Sequence, residues 1–331
     1  MCHKKGEDDM KFSILGPGGI AEKMAETIQK LDGVQAYAVA SRSMDRAKEF
    51  ADKWGFEKAY GSYEELVQDP EVELVYIATP HSHHYQYAKL CLEHGKPILV
   101  EKAFTVNAKQ AEEILALSKE KQLLVAEAIW PRYMPSRKIV DNLLAEGVIG
   151  EPSSILSNFG FPLTHVNRMS NPELAGGALL DLTVYPITSA LMTFHGEVVD
   201  MQASAVMSPD GVDWLDQITL TFDDGKMAIL HGNMLAVTNI DSVVLGSKGY
   251  MEIKTVNNYE EIRVYNSERQ LIGTYPVPEQ ITGYEYEVLA CKKALEEGRI
   301  ECPEMPHKEI LRVMKLMDKA REIWGLKFPC E

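Results

Sequence analysis

KFSILGPGGIA, residues 11–21, is the stretch of sequence that decides the fold of this chain. Residues 11–15 have the apolar composition of a short buried strand, and residues 21–30 have the composition of a helix. The turn between them matches G-x-G-x-x-G/A, with Ala21 in the third small position. A single match of this kind fits an ordinary glycine-rich turn as well as a dinucleotide site, so the elements that follow decide between the two.

In a dinucleotide site, each small residue of this turn has a separate role. Gly16 permits the tight turn, Gly18 lets a pyrophosphate approach the backbone, and Ala21 lets the helix pack closely against the strand. The helix N-terminus at Gly19 and Ile20 offers unpaired N–H groups and a partial positive charge to the phosphates. The glycines and Ile20 are therefore predicted to bind a dinucleotide.

The residues after the second predicted strand, residues 35–40, favour a phosphorylated dinucleotide. An NAD site carries an acidic residue about 20 positions after the glycine turn, where it bonds the ribose 2′-hydroxyl. Ser41 and Arg42 occupy that place here. A carboxylate would repel a 2′-phosphate, whereas Arg42 pairs with it, and Arg46 in the next helix is expected to assist. We predict NADP rather than NAD; the alternative is that both arginines are solvated surface charges.

Strands and helices alternate through the first part of the chain. Three more strands are predicted at residues 73–78, 97–100 and 123–126, with a helix at residues 83–94 and another ending at Lys121. This alternation predicts a parallel sheet covered on both faces, in which ligands bind beyond the carboxyl ends of the strands. The residues at those ends are the candidate cofactor ligands: Ser41, Arg42, Thr79, Pro80, His84, Glu101 and Lys102.

The run His81-Ser82-His83-His84 has the residue types of a metal site but not its spacing. Adjacent residues at a helix start diverge, and no second group of His or Cys stands at ligand spacing. We therefore predict no metal. His84 is expected to face the cofactor from the helix start, whereas His81 and His83 are expected on a loop at the surface or at the cleft rim.

Lys102 follows an apolar strand, where its ammonium group would be partly desolvated. Desolvation lowers the pKa of a lysine and moves it towards use as an acid or base. The alternative is a lysine that extends from the strand end into solvent. Sequence alone slightly favours this second interpretation.

The pattern changes after Trp130, from alternating strands and helices to a run of strands. Residues 218–222 alternate apolar and polar side chains, as do half-buried strands of an antiparallel sheet. The elements predicted here are helices at residues 136–146, 179–194, 284–297 and 308–324 and strands at residues 155–161, 198–207, 214–222, 226–237, 241–245, 250–255 and 260–265.

These patterns predict an α/β protein of two domains. Residues 1–128 are expected to form a Rossmann dinucleotide-binding domain. Residues 129–331 are expected to form an α+β domain with a large, open, mainly antiparallel sheet, whose last helix packs back on the first domain. The face of such a sheet would be an exposed apolar patch unless it were covered, which suggests a homodimer through this sheet.

Asp181 and Tyr185 are four residues apart on the helix predicted after Gly177, so their side chains share a face. Pro186 follows, and because it lacks an N–H group the helix is expected to bend there. A bend beside two titratable residues fits a site. The alternative is a core tyrosine whose hydroxyl bonds to Asp181.

Composition limits the classes of function. The 331 residues carry a net charge of −15, which argues against nucleic acid or an anionic membrane as a partner. No apolar run reaches the ~18 residues of a membrane span, and residues 1–10, expected to be a flexible tail, lack the apolar core of a signal peptide. The five cysteines are odd in number and scattered, which indicates reduced thiols. We expect a cytoplasmic protein with a small-molecule partner.

Taken together, the motifs resemble the glucose–fructose oxidoreductase / inositol dehydrogenase family over nearly the whole chain. Within that family, the resemblance is strongest to the branch of dihydrodiol dehydrogenases and NADP-dependent D-xylose 1-dehydrogenases. The motifs that carry it, in order, are GPGGIA (16–21), ASRS (40–43), TPHSHH (79–84), EK (101–102), EAIWPRY (127–133) and GGALLDLTVY (176–185).

The resemblance implies an oxidoreductase in which Lys102 lies beside the nicotinamide and the substrate, together with Asp181 and Tyr185. Trp130 and Arg132, at the joint between the domains, are expected to line the cofactor or substrate cleft.

Two residues depart from the family pattern. Ala103 stands where proline is usual, which loosens the local backbone constraint. Thr183 stands where glycine is usual, which is expected to add bulk near the pocket and puts the identity of the substrate in doubt.

The expected reaction is hydride transfer between C4 of NADP and a carbinol carbon of a cyclic diol or sugar. Tyr185 is the first candidate for the general acid/base, with Lys102 lowering its pKa and Asp181 orienting the substrate hydroxyl or the Lys102 ammonium. Lys102 is the second candidate for the proton transfer. The alternatives are an aldose 1-dehydrogenase or sugar ketoreductase and, from another class, a regulatory protein that binds NADP(H) without turnover.

Overall fold

The structure, a computed structural model, describes residues 9–331. The chain forms two compact units: residues 9–128 with Gln280–Leu311, and Ile129–Glu279 with Arg312–Glu331. The segment Gln280–Leu311 groups with the first unit, whereas the sequence analysis assigned it to the second domain. Residues 1–8, which include Cys2 and most of the expected N-terminal tail, lie outside the described residues.

The first unit is built on one parallel sheet. Its strands are β1 (Met10–Leu15), β2 (Val34–Ala40), β3 (Lys58–Tyr60), β4 (Leu74–Ile77), β5 (Ile98–Glu101) and β6 (Val125–Ala128). The helices between them are α1 (Gly19–Ile28), α2 (Met44–Trp54), α3 (Tyr63–Gln68), α4 (His81–Glu93) and α5 (Ala108–Lys121). The strand order is β3-β2-β1-β4-β5-β6, so the direction of the winding reverses between β1 and β4.

Burial and capping explain these elements. All four residues of β4 and all four of β5 are buried, as expected for strands covered on both faces. Ser43 caps α2 by accepting from the Arg46 N–H, and Asn107 caps α5 by accepting from the Gln110 N–H at 2.9 Å. The short elements β3 and α3 were not predicted, because three to six residues carry too little periodicity to be recognised.

The second unit is built on a larger sheet. In chain order, the elements after the first sheet are α6 (Ser136–Ala145), β7 (Pro152–Gly160), α7 (Asn167–Ser170), a π-turn (Leu179–Thr183), α8 (Val184–Thr193), β8 (Val198–Met207), β9 (Asp213–Phe222), β10 (Met227–Asn233), β11 (Ser242–Gly246), β12 (Gly249–Ile253), β13 (Glu261–Asn266), β14 (Leu271–Pro276), α9 (Glu285–Glu296) and α10 (His307–Trp324). Of these, α9 lies in the segment Gln280–Leu311 that groups with the first unit. The order of strands in the sheet is β14-β13-β12-β11-β7-β10-β9-β8, and all neighbours are antiparallel except β7 and β10. The predicted fold class is confirmed, although β14 was not predicted.

The helix predicted at residues 179–194 is divided into the π-turn and α8. The irregularity precedes Pro186, which lies in the first turn of α8, directly after the π-turn. The stretch Pro172–Thr193 is long and apolar enough to cross a membrane, but 94% of its most apolar window is buried within the protein. It therefore has the character of a core helix of the second unit.

Candidate active site

A pocket of about 340 Å³ lies in the first unit at the carboxyl ends of β1, β2 and β4. Its lining is Gly16, Pro17, Gly18, Ser41, Arg42, Ser43, Arg46, Tyr63, Ala78, Thr79 and Pro80. The predicted cofactor ligands that it brings together are Gly16, Gly18, Ser41, Arg42, Arg46, Thr79 and Pro80. This is the position at which an open parallel sheet binds a dinucleotide, beside the reversal of winding.

The glycine turn has the geometry that a phosphate site requires. Gly16 has φ +99°, and a Cβ atom there would lie 3.1 Å from Thr79 Cγ2 and 3.2 Å from the Ala78 carbonyl oxygen. Helix α1 begins at Gly19, so the free N–H groups of its first turn belong to Gly19 and Ile20, next to the pocket. Ala21 is fully buried, as expected for a residue at which helix and strand pack closely.

The far side of the pocket carries positive charge. The Arg46 guanidinium donates to the Pro17 carbonyl at 3.3 Å, which brings it to the glycine turn. Ser41 is buried and its hydroxyl accepts from the Ser43 N–H at 3.3 Å. Among the described residues that line the pocket, none is a carboxylate. The pocket therefore has the charge that the 2′-phosphate of NADP requires, since Arg42 and Arg46 are both in its lining.

The histidine run adopts another structure than expected. Helix α4 begins at His81, so His81 and His83 lie on the helix rather than on a loop, and His81 is buried. His84 is fully buried, with Nε2 at 2.8 Å from the Thr79 carbonyl and Nδ1 at 2.9 Å from the Ala103 carbonyl. Its ring joins the backbone after β4 to the backbone after β5, and its role as a cofactor ligand stays a prediction.

Glu101 also acts within the fold. The carboxylate is buried and accepts hydrogen bonds from the Tyr76 hydroxyl and, at 3.2 Å, from the Lys102 N–H. Glu127 accepts from the Phe104 N–H at 3.0 Å. Two buried carboxylates thus hold the backbone around Lys102, which is itself half-buried and joined to Ala103 by a cis peptide bond.

In the second unit, Tyr185 lies in a defined environment. Its hydroxyl accepts a hydrogen bond from the Trp130 indole N–H at 3.2 Å, and its ring packs against Phe159 with 4.9 Å between the ring centroids. Trp130 and Arg132 belong to a buried 3₁₀ turn that follows the first sheet. The orientation of the Tyr185 phenol is therefore fixed by an indole donor and an aromatic contact.

Asp181 is fixed by an arginine that the sequence analysis missed. Arg168, in α7, donates from Nη1 to Oδ1 at 3.0 Å and from Nη2 to Oδ2 at 3.2 Å. The Asp181 side chain is 7% exposed and that of Arg168 is 48% exposed. A bidentate guanidinium sets the plane of a carboxylate, so Arg168 determines where the Asp181 oxygens point.

Comparison with known proteins identifies the family. Residues 10–128 match the oxidoreductase family with an NAD-binding Rossmann fold, GFO/IDH/MocA, and residues 138–252 match the GFO/IDH/MocA C-terminal domain. The chain belongs to the GFO/IDH/MocA family.

Relatives extend over the whole chain. Trans-1,2-dihydrobenzene-1,2-diol dehydrogenase of Mus musculus is 32% identical over 335 residues, which cover 97% of this chain and 98% of that one. D-xylose 1-dehydrogenase (NADP(+)) of Hypocrea jecorina is 33% identical over 366 residues, which cover 97% of this chain and 93% of that one. The structure of KijD10, a 3-ketoreductase from Actinomadura kijaniata in complex with NADP and TDP-benzene, matches with a TM-score of 0.86 and 26% identity over 95% of this chain and 97% of that one. The predicted family and the predicted class of enzyme, an NADP-dependent oxidoreductase, are confirmed.

Within this GFO/IDH/MocA chain, the predicted site residues fall into three groups. The pocket brings together the nucleotide ligands listed above. The roles of five further residues stay predictions. Lys102 lies in the first unit, and the other four lie in the second unit: Trp130, Arg132, Asp181 and Tyr185. His84 and Glu101 are interior residues of the first unit, and Thr183 is fully buried, with its hydroxyl donating to Asp216 at 2.6 Å rather than adding bulk to a pocket. Among residues 9–331, no group of three or more His, Cys, Asp or Glu side chains has the arrangement of a metal site.

Proposed function

We propose that this protein transfers a hydride reversibly between NADP and a carbinol carbon of a small vicinal diol or sugar. The observation that carries the proposal is the pocket at the glycine turn, where Arg42 and Arg46 face a nucleotide site whose described lining has no carboxylate. Relatives that span 97% of the chain and are named a dihydrodiol dehydrogenase and a D-xylose 1-dehydrogenase support the class of substrate.

NADP, when bound, supplies or accepts the hydride at the nicotinamide C4. The Tyr185 hydroxyl is proposed to give or take the proton of the substrate hydroxyl. Because the Trp130 N–H donates to the phenol oxygen, it stabilises the negative charge that forms there when the proton leaves. In this bond the phenol oxygen is the acceptor, so the bond does not consume the phenol proton.

Asp181 and Lys102 are proposed to act on the substrate rather than on its proton. The Asp181 carboxylate, oriented by Arg168, accepts a hydrogen bond from a substrate hydroxyl and so selects which carbon is presented for oxidation. Lys102 supplies a positive charge that stabilises an oxyanion on the reacting carbon. These roles follow the family resemblance.

A sugar is the second candidate substrate, because one full-length relative is named a D-xylose 1-dehydrogenase. The deciding experiment is a spectrophotometric screen of the full-length protein with NADP⁺ or NAD⁺ and a panel of trans-dihydrodiols, vicinal cyclic diols and aldoses. We expect NADPH formation with at least one diol or aldose, at a kcat/KM about tenfold or more above that with NAD⁺. Equal turnover with NAD⁺ would remove the argument from Arg42 and Arg46. Binding of NADPH without turnover of any substrate would favour the non-catalytic regulatory protein instead.

We also infer that two copies associate through the larger sheet. On its open face, Leu156 of β7 is 40% exposed and lies between Ile229 of β10 and Val243 of β11 in the cross-strand register. One row along, Tyr250 and Tyr265 stack with 4.6 Å between the ring centroids. An exposed leucine between two apolar neighbours, with a stacked tyrosine pair beside it, is suited to contact with a second copy of the same face.

A further inference from the structure

The π-turn that carries Asp181 is held at both ends by carboxyl groups of β9. The Leu179 N–H donates to Asp213 Oδ2 at 2.6 Å, and the Thr183 hydroxyl donates to Asp216 Oδ2 at 2.6 Å. Leu179 and Thr183 are the first and the last residues of the turn. The two hydrogen bonds therefore bracket Asp181 and immediately precede Tyr185.

A β-bulge brings the two aspartates to the same face of the sheet. In a regular strand, residues three apart point to opposite faces. In the pairing of β8 with β9, Val206 lies opposite Leu215 and Met207 lies opposite Asp213, so Trp214 is an extra residue in β9. The extra residue reverses the alternation, and Asp213 and Asp216 both point at the π-turn.

Two glycines provide the room that this arrangement needs. A Cβ atom on Gly232 of β10 would lie 1.8 Å from the Thr183 hydroxyl oxygen. A Cβ atom on Gly177, which has φ +119°, would lie 2.1 Å from Asp213 Oδ1. The threonine at position 183 is thus accommodated by a glycine on the neighbouring strand, which explains how the chain tolerates a side chain there.

The aspartates are fully buried and close enough to repel each other when charged. Burial raises the pKa of Asp213, which the Arg321 guanidinium opposes, and burial together with the charge of Asp213 raises the pKa of Asp216. Both shifts favour the neutral form of the carboxyl groups, which lets them stay in the interior as hydrogen-bond partners of the turn.

We propose that Thr183, Asp213 and Asp216 form a clamp, the β9 clamp, which fixes the π-turn and thereby positions Asp181 and Tyr185 for turnover. The three are positioning residues, because they act through the turn. The inference rests on the proposed function of Asp181 and Tyr185. π-Turns inside helices are frequent at functional sites, and this one has an identifiable support.

The test compares Thr183→Val, which keeps the shape and loses the hydroxyl, with Thr183→Ser, which keeps the hydroxyl. With the best substrate of the panel, we expect Thr183→Val to lower kcat about ten- to hundredfold, as small displacements of catalytic groups do. We expect Thr183→Ser and Asp216→Asn, whose amide oxygen still accepts from Thr183, to stay within about threefold. The dissociation constant of NADPH, measured by fluorescence, is expected to stay the same in all variants, since the nucleotide pocket lies in the first unit.

Hydrogen exchange measured by mass spectrometry tests the clamp without turnover. Peptides covering residues 177–188 are expected to exchange about tenfold faster or more in Thr183→Val than in the wild type or in Thr183→Ser. Unchanged exchange in Thr183→Val overturns the clamp, and faster exchange with unchanged kcat overturns its positioning role. A wild type that oxidises no diol or sugar overturns the proposed function and the positioning role with it, while the exchange rates still decide whether the clamp exists.

Discussion

Tyr185 and Lys102 compete for one role, the transfer of the hydroxyl proton. We expect Tyr185→Phe to lower kcat by about a hundredfold or more, because general acid–base catalysis contributes roughly 10²–10⁴-fold. The substitution keeps the aromatic contact with Phe159 and removes only the hydroxyl that accepts from Trp130. Steady-state kinetics with NADP⁺ and saturating substrate measure the effect.

The matched control is the affinity for NADPH, which Tyr185→Phe should leave unchanged. If the variant retains most of its kcat, Tyr185 is not the proton-transfer group and Lys102 takes its place. If kcat and NADPH affinity fall together, the substitution has disturbed the fold rather than the reaction.

Sequence analysis finds a pocket residue when the position of that residue is fixed by a nearby motif, and misses it when its partners are distant in sequence. Arg42 and Arg46 were found because their position is fixed relative to the glycine turn by one strand and one helix start. Arg168 was missed because it lies in a four-residue helix within a loop, where no period or spacing relates it to Asp181. His84 was placed on the correct helix, but which way a single side chain faces depends on partners distant in sequence.

At the scale of elements, the alternation of strands and helices was sufficient to predict the parallel sheet and its ligand-binding edge. The π-turn was not predictable, because residues 179–192 are all buried and their apolar pattern has no period that an additional residue would shift. The bulge at Trp214 was not predictable either, since a regular strand would place Asp213 and Asp216 on opposite faces. Both irregularities belong to the π-turn of Asp181 and the strand that holds it, and departures from the local rules of helix and strand are expected near functional sites.

Helix α9 contains a buried acid whose charge costs stability. Glu287 is fully buried, and neither carboxyl oxygen has a hydrogen-bond partner within the described chain. Burial, and then the charge of Glu101, raise the pKa of Glu287 well above the ordinary value for glutamate. Folding therefore requires the neutral acid, whereas the unfolded chain releases this proton once the pH exceeds the ordinary pKa.

Glu287→Gln is therefore expected to raise the midpoint of thermal unfolding at pH 8, by roughly 2 °C or more, and to raise it less at pH 5. The midpoint is expected to rise because the pKa of Glu287 is higher in the folded state, so the stability of the wild type falls as the pH rises above the pKa of the unfolded state. Glutamine has no such proton to lose. Thermal denaturation followed by circular dichroism at the two pH values measures the difference.

Glu285, two residues earlier, provides a control of opposite sign. Its carboxylate accepts from the backbone N–H groups of Ile281, Thr282 and Gly283, so Glu285→Gln is expected to lower the unfolding midpoint at both pH values. A Glu287→Gln variant that is destabilised at pH 8, or changed equally at pH 5 and pH 8, would show that Glu287 is not held as a neutral acid.

At the scale of the whole molecule, the two units carry different parts of the proposed activity. The nucleotide pocket and Lys102 belong to the first unit, and Asp181, Tyr185 and the β9 clamp belong to the second. Affinity for NADPH therefore reports on the pocket of the first unit, whereas the proposed reaction also depends on residues of the second unit. This separation is what allows each substitution above to be read as an effect on binding, on chemistry or on folding.

Association of two copies is the last property to be tested, and the open face of the larger sheet provides the substitution. We expect the wild type to have twice the mass of one chain by light scattering coupled to size exclusion. We expect Leu156→Glu to have the mass of one chain, because a carboxylate between Ile229 and Val243 would be costly to bury in an interface. Leu289→Glu on α9 is the matched control, since Leu289 is also 40% exposed but lies on a helix, and it should remain a dimer. A wild type with the mass of one chain, or a Leu156→Glu variant as dimeric as the control, would place the interface elsewhere or exclude it.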